Sequence, residues 1–437
     1  MRGRHSVALG FLALIVVGAV LLAAPFARAD GRWGAALPAA FTACSAVCVT
    51  GLTVVDIARE LSFAGQLTLL VLVEIGCLGL MTCGTFLMVA IGRRLSLARE
   101  FSLMNAYGVA EVQGLKGLIL WVVGSMLFIE AAGALALYLE LGDWWQASFY
   151  SVMSFCNAGF SLRDGSVAAF AGRPAVIFTL AVETILGGIG FLVIYNLCTF
   201  KFRRRKSGGK GRLSLHTRVV LRFTAYLLVI AFVVFLWREW DRTLAGMPLA
   251  QKLWVGFYQA VTPRTCGFSV VATEALDPLT RLFSEVWMFI GGAPGSAAAG
   301  IKVTTLAVLI YTLKALCRGN HETIISRRVI SFDAGREAIV IFMALSAFIV
   351  LVFAALLVTE SATPHDSDAL LFEAVSAITT TGLSMGSTTV SLTSAGKLVI
   401  MAAMFAGRLG ALTVVMMIGD REETGRIRYP SEELVVG

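Results

Sequence analysis

Phe372-Glu-Ala-Val-Ser-Ala-Ile-Thr-Thr-Thr-Gly382-Leu-Ser384 is a moderately polar stretch between two long apolar runs, and three other stretches align with it. They read Phe41-Thr-Ala-Cys-Ser-Ala-Val-Cys-Val-Thr-Gly51-Leu-Thr53, Phe149-Tyr-Ser-Val-Met-Ser-Phe-Cys-Asn-Ala-Gly159-Phe-Ser161 and Phe257-Tyr-Gln-Ala-Val-Thr-Pro-Arg-Thr-Cys-Gly267-Phe-Ser269. A phenylalanine stands ten residues before each glycine; Leu or Phe and then Thr or Ser follow it; a second glycine lies 28 residues on, at Gly79, Gly187, Gly295 and Gly410. The central glycines are 108, 108 and 115 residues apart. Fixed offsets repeated four times mark an internal repeat.

The dimensions of the repeat suggest its use. Ten to twelve helical residues reach about 15–18 Å, half a bilayer. Such a segment enters from one side, stops at the middle and returns through the glycine tripeptide. Non-helical backbone at that depth persists only where it is buried in protein or lines a watery cavity. Four copies around an axis make a ring of backbone carbonyls that can replace a cation's hydration shell. Glycine permits the close approach, and the half-helices aim their partially negative carbonyl ends at the centre. The other reading of these stretches is four tight helix–loop turns with packing glycines. Phe41, Phe149, Phe257 and Phe372 are expected to anchor the short helices by packing.

Composition agrees with a membrane protein. Of 437 residues, 57% are hydrophobic and 15% charged. Runs such as 7–24, 175–197 and 338–358 are almost free of charge and long enough to span a bilayer. A soluble enzyme, a disordered scaffold and a nucleic-acid-binding domain are excluded, so the net charge of +8 reports topology. Lys and Arg collect in alternating connections: Arg93, Arg94, Arg99 and Lys116; Lys201, Arg203, Arg204, Arg205, Lys206, Lys210, Arg212 and Arg218; Lys314, Arg318, Arg327, Arg328 and Arg336; Arg421, Arg426 and Arg428. With Arg2 and Arg4 these are assigned to the cytoplasm, together with both termini. Each of four segments then crosses an even number of times. The expected fold is an all-α polytopic membrane protein with eight transmembrane helices and four re-entrant pore loops in four helix–pore loop–helix repeats around one central pore. Its units are residues 1–99, 100–212, 213–320 with an intramembrane gating loop, and 321–437 with a cytoplasmic tail.

Arg2 and Arg4 ahead of an apolar run, with Ala27-Arg28-Ala29 as a small-residue site, resemble a removable signal peptide. A retained helix is expected, because cleavage would strip the first repeat of its opening helix. The eight cysteines form no CxxC and no cluster with the four histidines, and read as small apolar packing residues; a disulfide has no support in their spacing.

Gly291-Gly-Ala-Pro-Gly-Ser-Ala-Ala-Ala-Gly-Ile-Lys302 interrupts what should be one helix. Glycine and proline break helices, so an unwound loop lining the pathway is expected; a kink with a small-residue packing face is the alternative. Arg408 lies well inside the run 398–418, where a charge usually faces a cavity or a partner or snorkels to an interface.

These loops, with Thr262-Pro-Arg-Thr-Cys-Gly-Phe268, the Gly291–Lys302 run and Gly407-Arg-Leu-Gly410, resemble the Trk/Ktr/HKT superfamily of potassium transporters over nearly the whole chain. With no extra helices before the first repeat, the chain looks like the bacterial Ktr-type membrane subunit more than the longer Trk type. The resemblance implies a potassium filter made by Val49, Thr50, Gly51, Asn157, Ala158, Gly159, Thr265, Cys266, Gly267, Thr380, Thr381 and Gly382, with glycine in all four filter positions going with potassium. It implies a gate at Gly291, Gly292, Gly295, Ser296, Gly300, Lys302 and Arg408, the arginine limiting flux below the filter. It implies a homodimer in the bacterial plasma (inner) membrane, no cofactor in this chain, and a cytosolic nucleotide-binding regulatory ring of the KtrA/TrkA type as partner. Cys266 departs from the small residue usual there, and the first loop lacks the threonines of the fourth.

Asp56, Asp164 and Glu274 follow their filter glycines and either raise local cation concentration at the outer mouth or are solvated loop carboxylates. Glu74, Glu130, Glu183 and Glu285 are intramembrane carboxylates, functional candidates by default, or merely hydrate helix ends. The alternative function is a sodium-coupled secondary transporter of potassium or another monovalent cation such as ammonium or sodium. Its mark would be inverted pairs of broken helices, whereas here the repeats share one orientation and one helix is expected to be strongly broken. No nucleophile–base or metal constellation points to an enzyme.

Overall fold

The computed structural model describes residues 2–90, 114–206, 213–320 and 322–410. Within them a unit of long helix, short helix, glycine loop and closing helix recurs. The first unit is α1 (Arg2–Ala23), α2 (Ala36–Val47) and α3 (Phe63–Ala90). The second is α4 (Gly114–Leu141), α5 (Trp144–Phe155), and a closing pair α6 (Pro174–Ile189) and α7 (Phe191–Lys206). The third is α8 (Leu215–Glu239), α9 (Leu249–Val261), α10 (Pro278–Phe289) and α11 (Val303–Leu316). The fourth is α12 (Phe332–Thr359), α13 (Ser367–Ile378) and α14 (Ser394–Leu409).

Three of the short helices have 12 residues and α9 has 13, about 18 Å of helix each. Asp143 starts α5 as its N-cap, accepting from the backbone N–H of Trp145 and Gln146. Phe41, Phe149 and Phe372 are fully buried and Phe257 is half-buried. Phe149 lies against Trp145 and Tyr150, and Phe257 against Phe178 and Phe232, which is the expected anchoring by packing.

Two closing helices are interrupted. Between α10 and α11, residues 290–302 carry no helix. Between α6 and α7 the chain bends by 97° at Gly190, whose φ of +81° is left-handed backbone that favours glycine. The sequence led us to expect only the first of these breaks.

Among the described residues, α4, α8 and α12 are long and apolar enough to cross a membrane, and the bent pair makes a fourth if it counts as one span. Phe128, Leu139 and Val358 are strongly exposed on these helices, as expected where the solvent is lipid tails. The all-α expectation needs one correction: between α11 and α12 lies an antiparallel hairpin, β1 (Thr323–Ile325) and β2 (Arg328–Ile330). Arg327 (φ +64°) sits in its turn, and Ile325 packs on Val219 and Ala307. The hairpin presents exposed Arg327 and Arg328, with Arg318 and Arg336 exposed beside it. Arg93, Arg94, Arg99, Lys210, Arg212, Arg421, Arg426 and Arg428 lie outside the described residues, as do the side chains of Arg2, Arg4, Lys116 and residues 201–206.

The opening helix is part of the packed structure. Phe11, Ile15 and Leu22 are buried in the main core. Ala27, at the cleavage-like site, is fully buried and accepts from Ser62 N–H at 3.0 Å, while Ala29 N–H donates to Glu60 at 2.9 Å. Asp277 caps α10 and pairs with Arg238 and Arg242; the hydrogen bond from Arg238 holds its carboxyl below the usual carboxylate range.

Candidate functional site

The four glycine loops meet in a closed ring. A Cβ placed on Gly51 would collide with the Ala158 carbonyl oxygen; on Gly159 it would lie 2.8 Å from the Cys266 oxygen; on Gly267, 2.7 Å from the Thr381 oxygen; on Gly382 it would collide with the Thr50 oxygen. Each glycine thus leaves room for the carbonyl just before the next repeat's glycine. The order is one, two, three, four and back to one. All four glycines have positive φ, from +67° to +94°.

The residue two before each glycine is also left-handed: Val49 (φ +54°), Asn157 (+57°), Thr265 (+70°) and Thr380 (+49°). Such values are costly for a β-branched residue, and they recur at the same step of all four loops. The backbone N–H groups of Thr50, Ala158, Cys266 and Thr381 return to carbonyls of Ser45, Met153, Thr262 and Ser376 at 2.8–3.0 Å. Ser45 and Ser376 hydroxyls also accept from Gly51 and Gly382 N–H at 3.0 and 3.1 Å. These N–H groups are thus taken up within each loop's own repeat. The Thr50, Thr265 and Thr380 hydroxyls and the Asn157 amide are buried without a partner among the described residues, an unusual concentration of polar atoms for a buried place. The Cys266 thiol is 3.2 Å from the Thr184 hydroxyl and 3.8 Å from the Tyr258 hydroxyl, so only its carbonyl belongs to the ring.

On one side of the ring a cavity of about 710 Å³ opens, lined by all four glycines and by Asp56, Glu60, Asp164 and Glu274. Asp56 caps a one-turn helix and pairs with Arg59 at 3.3 Å, and Arg59 also reaches Asp164 at 2.6 Å. Glu274 makes no ion pair among the described residues. The acidic residues singled out after the glycines therefore do gather at one mouth, two of them sharing one arginine.

The 290–302 segment contributes no residue to that cavity. Its two ends are zipped: Gly291 N–H donates to Ile301 and Ile301 N–H to Phe289, both at 3.0 Å. Its tip, Ala293–Ala297, rests on the break after α6. Gly295 (φ +72°) and Gly300 (φ +68°) supply left-handed turns, and a Cβ on Gly291 would strike the Ala299 oxygen. Ser296 is buried, its hydroxyl without a partner among the described residues. Arg408 is almost fully buried and grips two carbonyls, Ala297 at 2.6 Å and Gly76 at 2.8 Å, which ties the segment to the first repeat. Lys302 Nζ donates to the Ala298 carbonyl.

Sequence reasoning passed over Arg264. Three residues before Gly267, it is buried, has an Nε without a partner among the described residues, and reaches the Gly291 oxygen at 3.5 Å. The signal was there: an arginine inside a half-span loop needs a reason to be buried. The second glycine series is also refined. Gly76, Gly187 and Gly407 pack against the carbonyls of Val47, Phe155 and Ile378, where the short helices end. Gly79 faces only the Phe11 ring and Gly410 nothing within 4 Å, so an offset of 28 carries the contact in repeat two, and an offset of 25 in repeats one and four.

The intramembrane carboxylates separate. Glu74, Glu130 and Cys156 bring ligand atoms within 4.8 Å of one another. Glu183 accepts from the Ser151 hydroxyl, which also donates to the Glu130 carbonyl at 2.7 Å. Glu285 is buried, one of its oxygens without a partner among the described residues. Among the described residues the cysteines are unbridged; Cys198 and Cys317 are exposed and the other five buried.

Residues 13–424 match the family described as TrkH, cation transport protein. The chain is similar to the Ktr system potassium uptake protein B of Bacillus subtilis (strain 168), 35% identical over 440 residues that cover 98% of this chain and 96% of the relative. It is 33% identical to the protein of that name from Vibrio alginolyticus, covering 98% and 94%. It is 33% identical to the potassium/sodium uptake protein NtpJ of Enterococcus hirae, covering 99% and 96%. The crystal structure of the potassium transporter TrkH from Vibrio parahaemolyticus superposes with a TM-score of 0.76 over 95% of this chain and 84% of that one, at 19% identity; at that identity the likeness speaks for the fold.

Proposed function

Since the chain belongs to the TrkH family of cation transport proteins, a family of multi-pass membrane transporters, we propose that it is the potassium-translocating subunit of a Ktr-like uptake system in the bacterial inner membrane. The observation that carries this reading is the closed ring of four glycines, each fitted to the next loop's carbonyl. A potassium ion shed of its water would be held by carbonyls of Val49, Thr50, Gly51 and their counterparts Asn157–Gly159, Thr265–Gly267 and Thr380–Gly382. Potassium is the substrate; no cofactor is assigned to this chain. Ions would gather in the acidic cavity, pass the ring, and meet the 290–302 segment as a gate, with Gly291, Gly292, Gly295, Ser296, Gly300 and Lys302 forming it and Arg408 adding a repelling charge. In this reading the eight crossings of four repeats are α1, α3, α4, α6–α7, α8, α10–α11, α12 and α14, and both termini are cytoplasmic. The names of the Ktr relatives support assembly with a second component, which we assign as a cytosolic nucleotide-binding ring, with two copies of this chain above it and nucleotide bound only there.

The test is uptake of potassium and rubidium in a bacterium lacking its own potassium transporters, with sodium present and absent. Expression of this chain with a regulatory ring should restore growth at low potassium and accumulate rubidium. Failure of both, with the protein in the membrane, overturns the assignment; uptake that requires sodium turns it into the coupled transporter.

A further inference from the structure

A broken helix leaves backbone groups without intrahelical partners at both ends of the break. At the 97° bend between α6 and α7 these groups are taken by the 290–302 segment. Ala293 N–H donates to the Gly188 carbonyl at 2.9 Å and Ala297 N–H to the Gly187 carbonyl at 3.4 Å; Phe191 N–H donates to the Gly295 carbonyl at 3.2 Å. The segment therefore caps the end of α6 and the start of α7 at once. The approach depends on two facing glycines. A Cβ on Gly190 would come within 3.0 Å of the Pro294 and Gly295 oxygens, and one on Gly295 within 2.9 Å of the Phe191 ring. Apolar packing completes the seat, with Ala293 buried among Ile189, Val193 and Val220.

We propose that the break between α6 and α7 is the seat that holds the gate closed, and that Gly190 and Phe191 are positioning residues for it. The proposal rests on the reading of residues 290–302 as the gate. Withdrawal of the segment strips three backbone groups of the junction of their partners, two of them on the buried Gly187 and Phe191, an unfavourable change unless α7 re-forms its junction with α6. Segment and junction thus move as one two-state element. α7 runs to Lys206, so the junction links the gate to the basic connection before α8.

The experiment compares initial rubidium uptake, with and without the regulatory ring, in Phe191→Pro, Phe191→Ala, Gly190→Ala and a chain shortened within 295–300. Proline at the first position of a helix is well tolerated, so Phe191→Pro deletes the N–H to Gly295 while sparing α7; Phe191→Ala keeps the N–H and loses only the ring. Phe191→Pro and Gly190→Ala should raise ring-independent uptake about threefold or more and shrink stimulation by the ring. Their half-saturating potassium and their potassium-over-sodium preference should match wild type, because the glycine ring is untouched. Fast transport by the shortened chain beside wild-type behaviour of Phe191→Pro and Gly190→Ala rejects the seat and leaves the gate standing. A shortened chain no faster than wild type rejects the gate and the seat with it. Hydrogen exchange on the unmodified protein needs no variant: the Phe191, Ala293 and Ala297 amides should open together, and protection of Phe191 while the other two exchange overturns the proposal.

Discussion

Gly51, a filter position in the proposed function, has little conformational freedom. Its φ is +94°, and the space a side chain would take is occupied by the Ala158 oxygen. A serine there must either push that carbonyl away or force its own backbone out of the left-handed region, a strain of about 1–3 kcal/mol. Both displace one of the carbonyls that would surround a dehydrated ion. Gly51→Ser should therefore lower potassium-over-sodium preference by about tenfold, the effect of roughly 1.4 kcal/mol, while surface expression changes little. Competitive isotope uptake measures it; a mutant with unaltered preference would show that Gly51 does not line the pathway. Val49, Thr265 and Thr380 stand in the same left-handed region without the excuse of a missing side chain. Strain of that kind at one step of four loops points to a backbone shape required for function.

If residues 290–302 are the gate proposed above, short elements hold it. Arg408 binds the Ala297 carbonyl and the Gly76 carbonyl, so the 290–302 segment is held from the fourth repeat as well as from the second. Removing residues from 295–300 takes away the Arg408 acceptor and the Gly295 acceptor of Phe191 together. The shortened chain should transport several-fold faster and depend less on a regulatory ring, and uptake with and without the ring reads this; equal rates and undiminished dependence would return the segment to a structural kink. Much of this was legible in the sequence. The half-span helices followed from length and the glycine offsets, and the unwound segment from Gly-Gly-Ala-Pro-Gly. The bend at Gly190 was not, because Gly187-Gly-Ile-Gly190 sits in an uncharged run where small residues serve helix packing equally well. Nor could spacing show that Gly76 and Gly407, three residues short of the repeated offset, make the close contacts: a one-turn slip keeps a glycine on nearly the same helix face. Arg264 was quoted as part of a motif, yet its burial depends on which segment folds under it.

At the scale of the whole molecule the decisive question is sidedness. In the proposed reading the ring has two unlike faces: an acidic cavity with Asp56, Asp164 and Glu274, and a gated face at the 290–302 segment with the half-buried Lys302 and the buried Arg408 and Arg264. Cations entering a cell would collect at the first and be checked at the second. The basic connections set the orientation independently, since Lys and Arg are retained in the cytoplasm. α7 ends at Lys206 and α8 starts at Leu215, so the connection between them, with Ser207 outside the described residues, should lie on the gated side. Replacing the native cysteines, of which Cys198 and Cys317 are exposed, gives a background for labelling. Ser207→Cys should react with a membrane-impermeant maleimide only after permeabilisation. Asp164→Cys, in the cavity wall and 69% exposed at its side chain, should react in intact cells. Reaction of Ser207→Cys from outside would mean that the repeats enter and leave on opposite faces, and eight crossings would no longer fit. Reaction of both positions from the same side would separate the cavity from the entry path. The expected pattern, outside at 164 and inside at 207, requires the chain to cross once through α6–α7, bend included, which makes the broken helix a full span.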